Sequence, residues 1–525
     1  MNLESFLHNL HFDNEKITPP DWEADWGDAP LAYKVYRGLP KVPLSSEIPL
    51  TLEGTEVPAK PDLRKFGHFL WYVFGLTQLS QSVYTLDSSE NKSELMQSNR
   101  RYVPSGGALY PNELYIYLKL DDLPAGIYHY DVAHHSLVLL REGNFDSYIA
   151  RALGNRCDIE TCFGTVFVST MFWKNFFKYN NFAYRLQGLD AGVLVGQLLE
   201  VSKRFSFETG LYFQYLDRAL NHLLGLTEQE ESVYAVIPVS VETTNWSASL
   251  SDREGEVSAP ELWRELTAIQ HSYIQRSKRV AEYPMVKKVN EASMLQSTNM
   301  FRKIRPKETR TCDGNTIALP REKRLTYDLA LACKERFSPD MDFVLRKVTK
   351  PQLSTLLQEA FASFSYRNDL DVTHSKNESR VSLFMCLYNV EGIPNGSYQY
   401  DETAHSLRKV NHGDHRFKLQ NAMISHNVNL FQVPICFHIA GDKNHLVKEL
   451  GYRGYRIQQM EAGMLTHRLL IAASALGMGG HPLLGFDAKA CDEIYEQALY
   501  EKTSLIQIPI GTYRDRAWLK GSLHS

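Results

Sequence analysis

Residues 124–137 read Pro-Ala-Gly-Ile-Tyr-His-Tyr-Asp-Val-Ala-His-His-Ser-Leu, and residues 394–407 read Pro-Asn-Gly-Ser-Tyr-Gln-Tyr-Asp-Glu-Thr-Ala-His-Ser-Leu. The proline, the glycine, both tyrosines, the aspartate and the closing His-Ser-Leu recur at one offset, 394 − 124 = 270. The correspondence continues downstream. Tyr184-Arg185 returns as Tyr455-Arg456, Ala191-Gly192 as Ala462-Gly463, and Ile237-Pro238-Val239 as Ile508-Pro509-Ile510, each at 271. Upstream, Lys60-Pro61-x-Leu63 matches Lys350-Pro351-x-Leu353 at 350 − 60 = 290. The first half therefore carries about twenty extra residues, which the polar stretch Leu86 to Asn99 best accounts for.

Each half mixes the two periodicities of secondary structure. Leu114 to Leu120 and Ile127 to Val132 predict strands joined by a turn, followed by a strand at Ser136 to Leu140 and a buried strand at Phe163 to Thr170. Tyr184 to Lys203 predicts a helix apolar around most of its circumference, hence a central one. Tyr234 to Val239 closes the unit as a strand. Leu262, Leu266, Ile269 and Tyr273 share one helical face, so Ala259 to Val280 is expected to be helical. The expected architecture is α+β, with two similar units: a lead-in over 1–58 packing on the first unit, unit one at 59–255, a helical connector at 256–285 and unit two at 286–525. A chain of 525 residues accommodates two such units.

Composition excludes more than it suggests. Charged residues are 22% and the formal net charge is −4, without the basic excess of a nucleic-acid binder or the charge pattern of a membrane-surface protein. No uncharged apolar run approaches the ~20 residues that span a bilayer. The opening MNLESFLHNLHF has Glu4 and no basic segment ahead of its apolar residues, unlike a secretory leader. The seven cysteines form no CxxC pair, which fits a reducing cytosol, so a cytoplasmic location is expected. No zinc-type spacing is present, no metal is expected, and His134-His135 reads as a turn. GxSxG, Walker and HExxH signatures are absent.

The segment Arg101-Tyr102-Val103-Pro104-Ser105-Gly106-Gly107-Ala108-Leu109-Tyr110-Pro111 puts small residues and main-chain donors ahead of a strand, where a planar ligand would need close backbone approach. With these residues the chain resembles the nitroreductase-like flavoproteins, and within them the azoline dehydrogenases of the SagB/ThcOx type. Phe177-Lys178-Tyr179-Asn180-Asn181 resembles that branch's Lys-Tyr motif. Leu476-Gly477-Met478-Gly479-Gly480 with Gly485-Phe486-Asp487 resembles its closing flavin segment. Asp25-Trp26 and Ala32-Tyr33-Lys34-x-Tyr36 are similar to its lead-in. The resemblance implies bound FMN and oxidation of thiazolines or oxazolines in a ribosomally made precursor peptide, beside a cyclodehydratase that makes the ring. An NAD(P)H-dependent nitro- or quinone-reductase on the same fold, or a flavin-free scaffold of a peptide-modifying complex, stays open.

The two halves retain complementary pieces. The first keeps Pro104-Ser105-Gly106-Gly107 and Lys178-Tyr179 but has Ser206-Phe207-Glu208-Thr209 opposite Gly477-Met478-Gly479-Gly480. The second has His-Ser-Lys-Asn at 374–377 and Glu449-Leu450 opposite Lys178-Tyr179. It alone carries Lys334-Glu335-Arg336-Phe337-Ser338, similar to the arginine-containing start that grips the FMN phosphate in nitroreductases, and it ends with Arg514 and Arg516. Nitroreductases are dimers with flavin sites shared across the interface, so the division implies an intramolecular pseudo-dimer of two tandem nitroreductase-like units with one intact site. The resemblance assigns Lys178 and Tyr179 to catalysis, Lys178 as the base. It assigns Pro104, Ser105, Gly106, Gly107, Leu109, Tyr110, Arg336, Ser338, Gly477, Met478, Gly479, Gly480 and Arg514 to FMN, with Arg516 the alternative to Arg514.

Overall fold

Each repeated hairpin turns on a histidine held in the left-handed region, His135 at φ 44° and His405 at φ 48°. Its Nδ1 shares a 2.8 Å hydrogen bond with the tyrosine hydroxyl five residues earlier, Tyr130 or Tyr400. Its carbonyl accepts the N–H of the chain entering beside it, Leu44 at 3.0 Å or Leu319 at 3.1 Å. A histidine with positive φ is uncommon and needs such local ties. The computed structural model describes the whole chain except residues 86–92, 247–254, 305–314, 363, 365, 373–378, 516–518 and 523–525.

Around these hairpins stand two seven-stranded antiparallel sheets. In chain order the first half supplies β1 (Lys41–Pro43), β2 (Leu76–Thr85), β3 (Ser93–Arg101), β4 (Asn112–Leu118), β5 (Gly126–Asp131), β6 (Ser136–Glu142), β7 (Gly164–Met171), β8 (Glu208–Thr209) and β9 (Glu231–Ser240). The second supplies β10 (Thr316–Ala318), β11 (Ser382–Leu387), β12 (Gly396–Asp401), β13 (Ser406–His412), β14 (Ile435–Asp442), β15 (Gly479–Gly480), β16 (Lys502–Gly511) and β17 (Leu519–Ser522). The spatial orders correspond strand for strand, β1-β6-β5-β4-β7-β9-β8 against β10-β13-β12-β11-β14-β16-β15.

Between the sheets run two central helices, Ala183–Arg204 and Arg453–Ala475. Every residue from Ala183 to Ser202 and from Arg453 to Ser474 is buried, as an all-round apolar pattern demands. Their crossing uses glycine. A Cβ on Gly192 would collide with the carbonyl of Met460, and one on Gly463 with the carbonyl of Leu189. Leu189 and Met460 are themselves repeat equivalents (460 − 189 = 271), so the contact is reciprocal, and Tyr184 stacks on its own counterpart Tyr455 at 5.8 Å. Buried ion pairs cross between the halves: Arg453 to Asp217 at 2.7 Å, Arg156 to Asp369 at 2.8 Å and Arg468 to Glu200 at 2.9 Å. Removing one partner of such a pair strands the other charge, at a cost of about 3–5 kcal/mol.

Two expectations need correction. The helix after Ala259 stops at Glu265, and the chain continues extended. Its backbone pairs with the lead-in, Arg37 N–H to the Ser272 carbonyl and Ile274 N–H to the Val35 carbonyl, while Ile269 packs over Gly225. Tertiary pairing thus overrides a helical spacing. The lead-in does not pack on the first half alone. Its helix Leu3–Phe12 sets His11 against Thr503 at 2.8 Å and Phe12 against the second half's outer cluster, before Trp22 reaches back to the Phe177 carbonyl at 3.2 Å. The described part of the extra segment is strand, β3 pairing with β2, and the terminal β17 adds to β2 as a third strand.

Candidate functional site

Residues 102–111 leave β3, in the small sheet of β2, β3 and β17, and enter the first seven-stranded sheet at β4 through a turn the backbone does not favour. Gly107, Ala108 and Tyr110 have φ of 64°, 57° and 48°. Such values are at home in glycine and strained in alanine and tyrosine. Ties from outside hold the shape. Asp190, on the first central helix, accepts the Ser105 hydroxyl at 2.6 Å and the Gly106 N–H at 3.1 Å. The Ser105 Oγ in turn accepts the Tyr110 N–H at 2.9 Å. At the far end the buried Lys174 donates to the Tyr110 carbonyl at 3.3 Å and ion-pairs with Glu113.

Lys174 lies one turn before Lys178 on the helix Trp173–Tyr179, so the strut that reaches the loop's end also places that helix. A Cβ built on Gly107 would fall 3.0 Å from Lys178 Nζ and 2.5 Å from Tyr179 Oη. Any residue but glycine would push against both groups. The indole of Trp26, from the lead-in, stands 5.3 Å from the Lys178 ammonium and edge-on to Phe177. Burial lowers the Lys178 amine below its ordinary value. Burial, then the Asp190 charge, pushes the Tyr179 hydroxyl up to about 12, and burial raises the Asp190 carboxyl to about 6 against the hydrogen bonds from Ser105 and Gly106.

The second half brings different groups. Arg336 caps the helix Leu329–Glu335 and is buried, 6% exposed. Its Nε has no hydrogen-bond partner among the described residues. Burial first, then the neighbouring Arg100, lowers its guanidinium to about 10. No ion pair to either arginine is present among the described residues. Arg100, the penultimate residue of β3, donates to the Arg336 carbonyl, and Tyr110 lies near both guanidinium groups. The glycine segment joins this side: Gly480 N–H donates to the Phe337 carbonyl at 3.1 Å, and Gly479, where a Cβ would strike Pro339 and Tyr513, pairs with Gly511 as β15. Gly477, at φ 70°, ends the second central helix, and Met478 is buried behind it. The buried Arg336 and half-buried Arg100, with no ion-paired acid among the described residues, have donor groups of the kind that could hold an anion.

No protein-family model matches the chain. An Anabaena variabilis protein crystallised under a nitroreductase name superposes on 98% of this chain and 100% of its own at a TM-score of 0.72, with 20% identity. The fold is nitroreductase-like. A Ralstonia eutropha structure of similar name covers 38% of this chain and 90% of its own, with 17% identity and a TM-score of 0.30. A Methanocaldococcus jannaschii protein also named as a nitroreductase is 23% identical over 164 residues, which are 31% of this chain and 81% of that protein.

Within this nitroreductase-like fold the candidate residues fall into distinct places. Ser105, Gly106, Gly107 and Tyr110 meet Lys178, Tyr179 and Asp190, while Pro104 and Leu109 are half-buried in the same turn. Arg336 meets that turn through Arg100 and Tyr110, and Ser338 is half-buried two residues on. Arg514 is exposed and held by its N–H donating to the Asp342 carbonyl at 3.0 Å. Arg516 and the His-Ser-Lys-Asn at 374–377 lie outside the described residues. Two functional candidates were not read from sequence. Arg100 directly follows the polar stretch Leu86 to Asn99 and belongs to no motif of the resemblance. Asp190 carried a signal: an acid inside a helix apolar all round, matched by Glu461 in the other copy.

Among the described residues no helix is long and apolar enough to cross a membrane, and no cluster of three His, Cys, Asp or Glu side chains could hold a metal.

Proposed function

We propose that the chain is an FMN-dependent dehydrogenase that oxidises thiazoline or oxazoline rings of a ribosomally synthesised peptide to thiazoles or oxazoles, working beside a cyclodehydratase. The observation that carries this reading is the closeness of Gly107 to Lys178 Nζ and Tyr179 Oη: a loop suited to a planar cofactor lies against a desolvated amine and a neutral phenol. The orphaned Nε of Arg336, beside Arg100, suits the dianionic phosphate of FMN, with the backbone around Gly479 and Gly480 close by. Ser105, Gly106 and Gly107 would line the ring system.

The reciprocal helix crossing supports a fused pseudo-dimer, and side chains at the counterpart positions support a single working site. Glu208 stands at the repeat position of Gly479 (479 − 208 = 271) and ion-pairs with Arg367 at 2.6 Å. Glu461, the counterpart of Asp190, is taken by Arg380. An anionic phosphate has no place beside the Glu208 carboxylate.

When bound, the isoalloxazine supplies a two-electron acceptor for the hydride that leaves one azoline carbon. Lys178 takes the proton from the adjacent carbon, and the ring becomes aromatic with the loss of two hydrogens. Its depressed pKa increases the neutral fraction available for this step. Tyr179, protonated at neutral pH, donates a hydrogen bond that orients the ring. Turnover would require an external two-electron acceptor, for which the resemblance implies molecular oxygen, reduced to hydrogen peroxide.

The test is mass spectrometry of a thiazoline peptide incubated in air with the FMN-loaded protein. The wild type should lighten the peptide by two hydrogens per ring. Lys178→Ala should keep its FMN and lose ~10²- to 10⁴-fold in rate, the usual contribution of a general base, and Tyr179→Phe should lose less. An undiminished rate in Lys178→Ala would overturn the assignment.

A further inference from the structure

Asp190 and Glu461 occupy equivalent positions on the two central helices (461 − 190 = 271), yet they face different partners. Arg380 donates to Glu461 at 2.9 Å and 3.0 Å, and the Tyr366 hydroxyl at 2.7 Å. Asp190 has no ion pair among the described residues. It is 8% exposed, and its partners are the Ser105 hydroxyl and the Gly106 N–H. Because the Ser105 Oγ also accepts the Tyr110 N–H, one carboxylate governs both the start and the end of the turn 105–110. Within that turn Ala108 and Tyr110 hold left-handed φ values that their side chains disfavour, so the shape depends on restraint from outside.

We propose that Asp190 is the positioning residue of this site: it locks the Pro-Ser-Gly-Gly loop in the form that turns its backbone toward the cofactor and seats Gly107 against Lys178 and Tyr179. The proposal rests on the flavin reading above. Asp190 does not touch the reacting ring; it acts through Ser105 and Gly106. The same reasoning accounts for the other half, where Arg380 engages the equivalent carboxylate.

The experiment compares Asp190→Leu, which removes the acceptor, with Asp190→Asn, which keeps one acceptor oxygen. In the flavin-free protein, hydrogen exchange of the amides of residues 105–110 is followed by mass spectrometry. FMN affinity is then measured by quenching of flavin fluorescence. Asp190→Leu should lose protection in that turn alone and bind FMN ~10- to 100-fold more weakly, as expected for two lost hydrogen bonds. Asp190→Asn should stay within about threefold of wild type. Ser105→Ala cuts the same tie from the loop side, so it reports even if Asp190→Leu fails to fold. Paired with Asp190→Leu, it should show a non-additive loss. Unchanged loop protection and FMN affinity in Asp190→Leu, or strictly additive losses in the pair, would overturn the proposal. A wild type that takes up no FMN would instead remove the flavin reading, with the exchange experiment still deciding whether Asp190 holds the turn.

Discussion

Replacing Arg336 with methionine should move two properties in opposite directions. The guanidinium is buried, its Nε has no hydrogen-bond partner among the described residues, and its pKa is lowered by about 2.5, to about 10, by burial first and by Arg100 second. A difference of about 2.5 units at 1.36 kcal/mol each means that the flavin-free fold carries ~3 kcal/mol of unfavourable charge at neutral pH. The sign follows from the charged form being the disfavoured one. The cost is present below about pH 10 and fades as pH rises toward 12.5. Methionine fills similar space without charge. With a melting entropy of about 2.1 cal/mol/K per residue, the flavin-free variant should melt ~3 °C higher than wild type. FMN, deprived of a charge-assisted contact of about 1.5–3 kcal/mol, should bind ~10- to 100-fold more weakly. Thermal unfolding followed by circular dichroism, with a fluorescence titration of FMN, reads both. A variant that melts lower without flavin, or that binds FMN as wild type does, would refute the assignment of Arg336 to the phosphate.

Heat-released flavin measured against protein should give about one FMN per chain, unchanged in Glu449→Ala at the counterpart of Lys178; a ratio near two would contradict the single site. Glu113 offers a pH test. Burial would raise its carboxyl, yet Lys174 first and His129 second hold it down to about 2 from 4.5. Its contribution, ~3 kcal/mol for about 2.5 units, is complete above about pH 4.5 and is lost as pH falls toward 2. Lys174→Met should therefore cost about 3–5 kcal/mol at pH 7, where Glu113 is left charged and short of its lysine, and clearly less at pH 4. Urea midpoints at the two pH values measure this, and a cost independent of pH would sink the argument.

Much of the site was legible because its residues act locally. The hairpin repeat, the Gly-Gly turn and the Lys-Tyr pair are contiguous in the chain, and alternation and turn chemistry report contiguous features directly. Arg336 was legible by its place in one half and its absence from the other. What escaped depends on distant partners. Leu266, Ile269 and Tyr273 have helical spacing, yet the backbone they ride on pairs with Val35 and Arg37, more than two hundred residues away. The lead-in helix carries an ordinary apolar stripe, and nothing in the stripe says that His11 will meet Thr503. Asp190 shows its role through the hydrogen bonds of Ser105 and Gly106 and not through its neighbours in sequence.

The most direct measurement of the central claim is anaerobic. FMN-loaded protein is mixed with a thiazoline peptide, and separately with NADPH, while the visible flavin absorbance is recorded. The account predicts that the peptide bleaches the flavin, that NADPH does so far more slowly, and that Lys178→Ala abolishes bleaching by the peptide while retaining its FMN. Rapid bleaching by NADPH alone, indifferent to Lys178, would contradict the dehydrogenase and leave a reductase in its place.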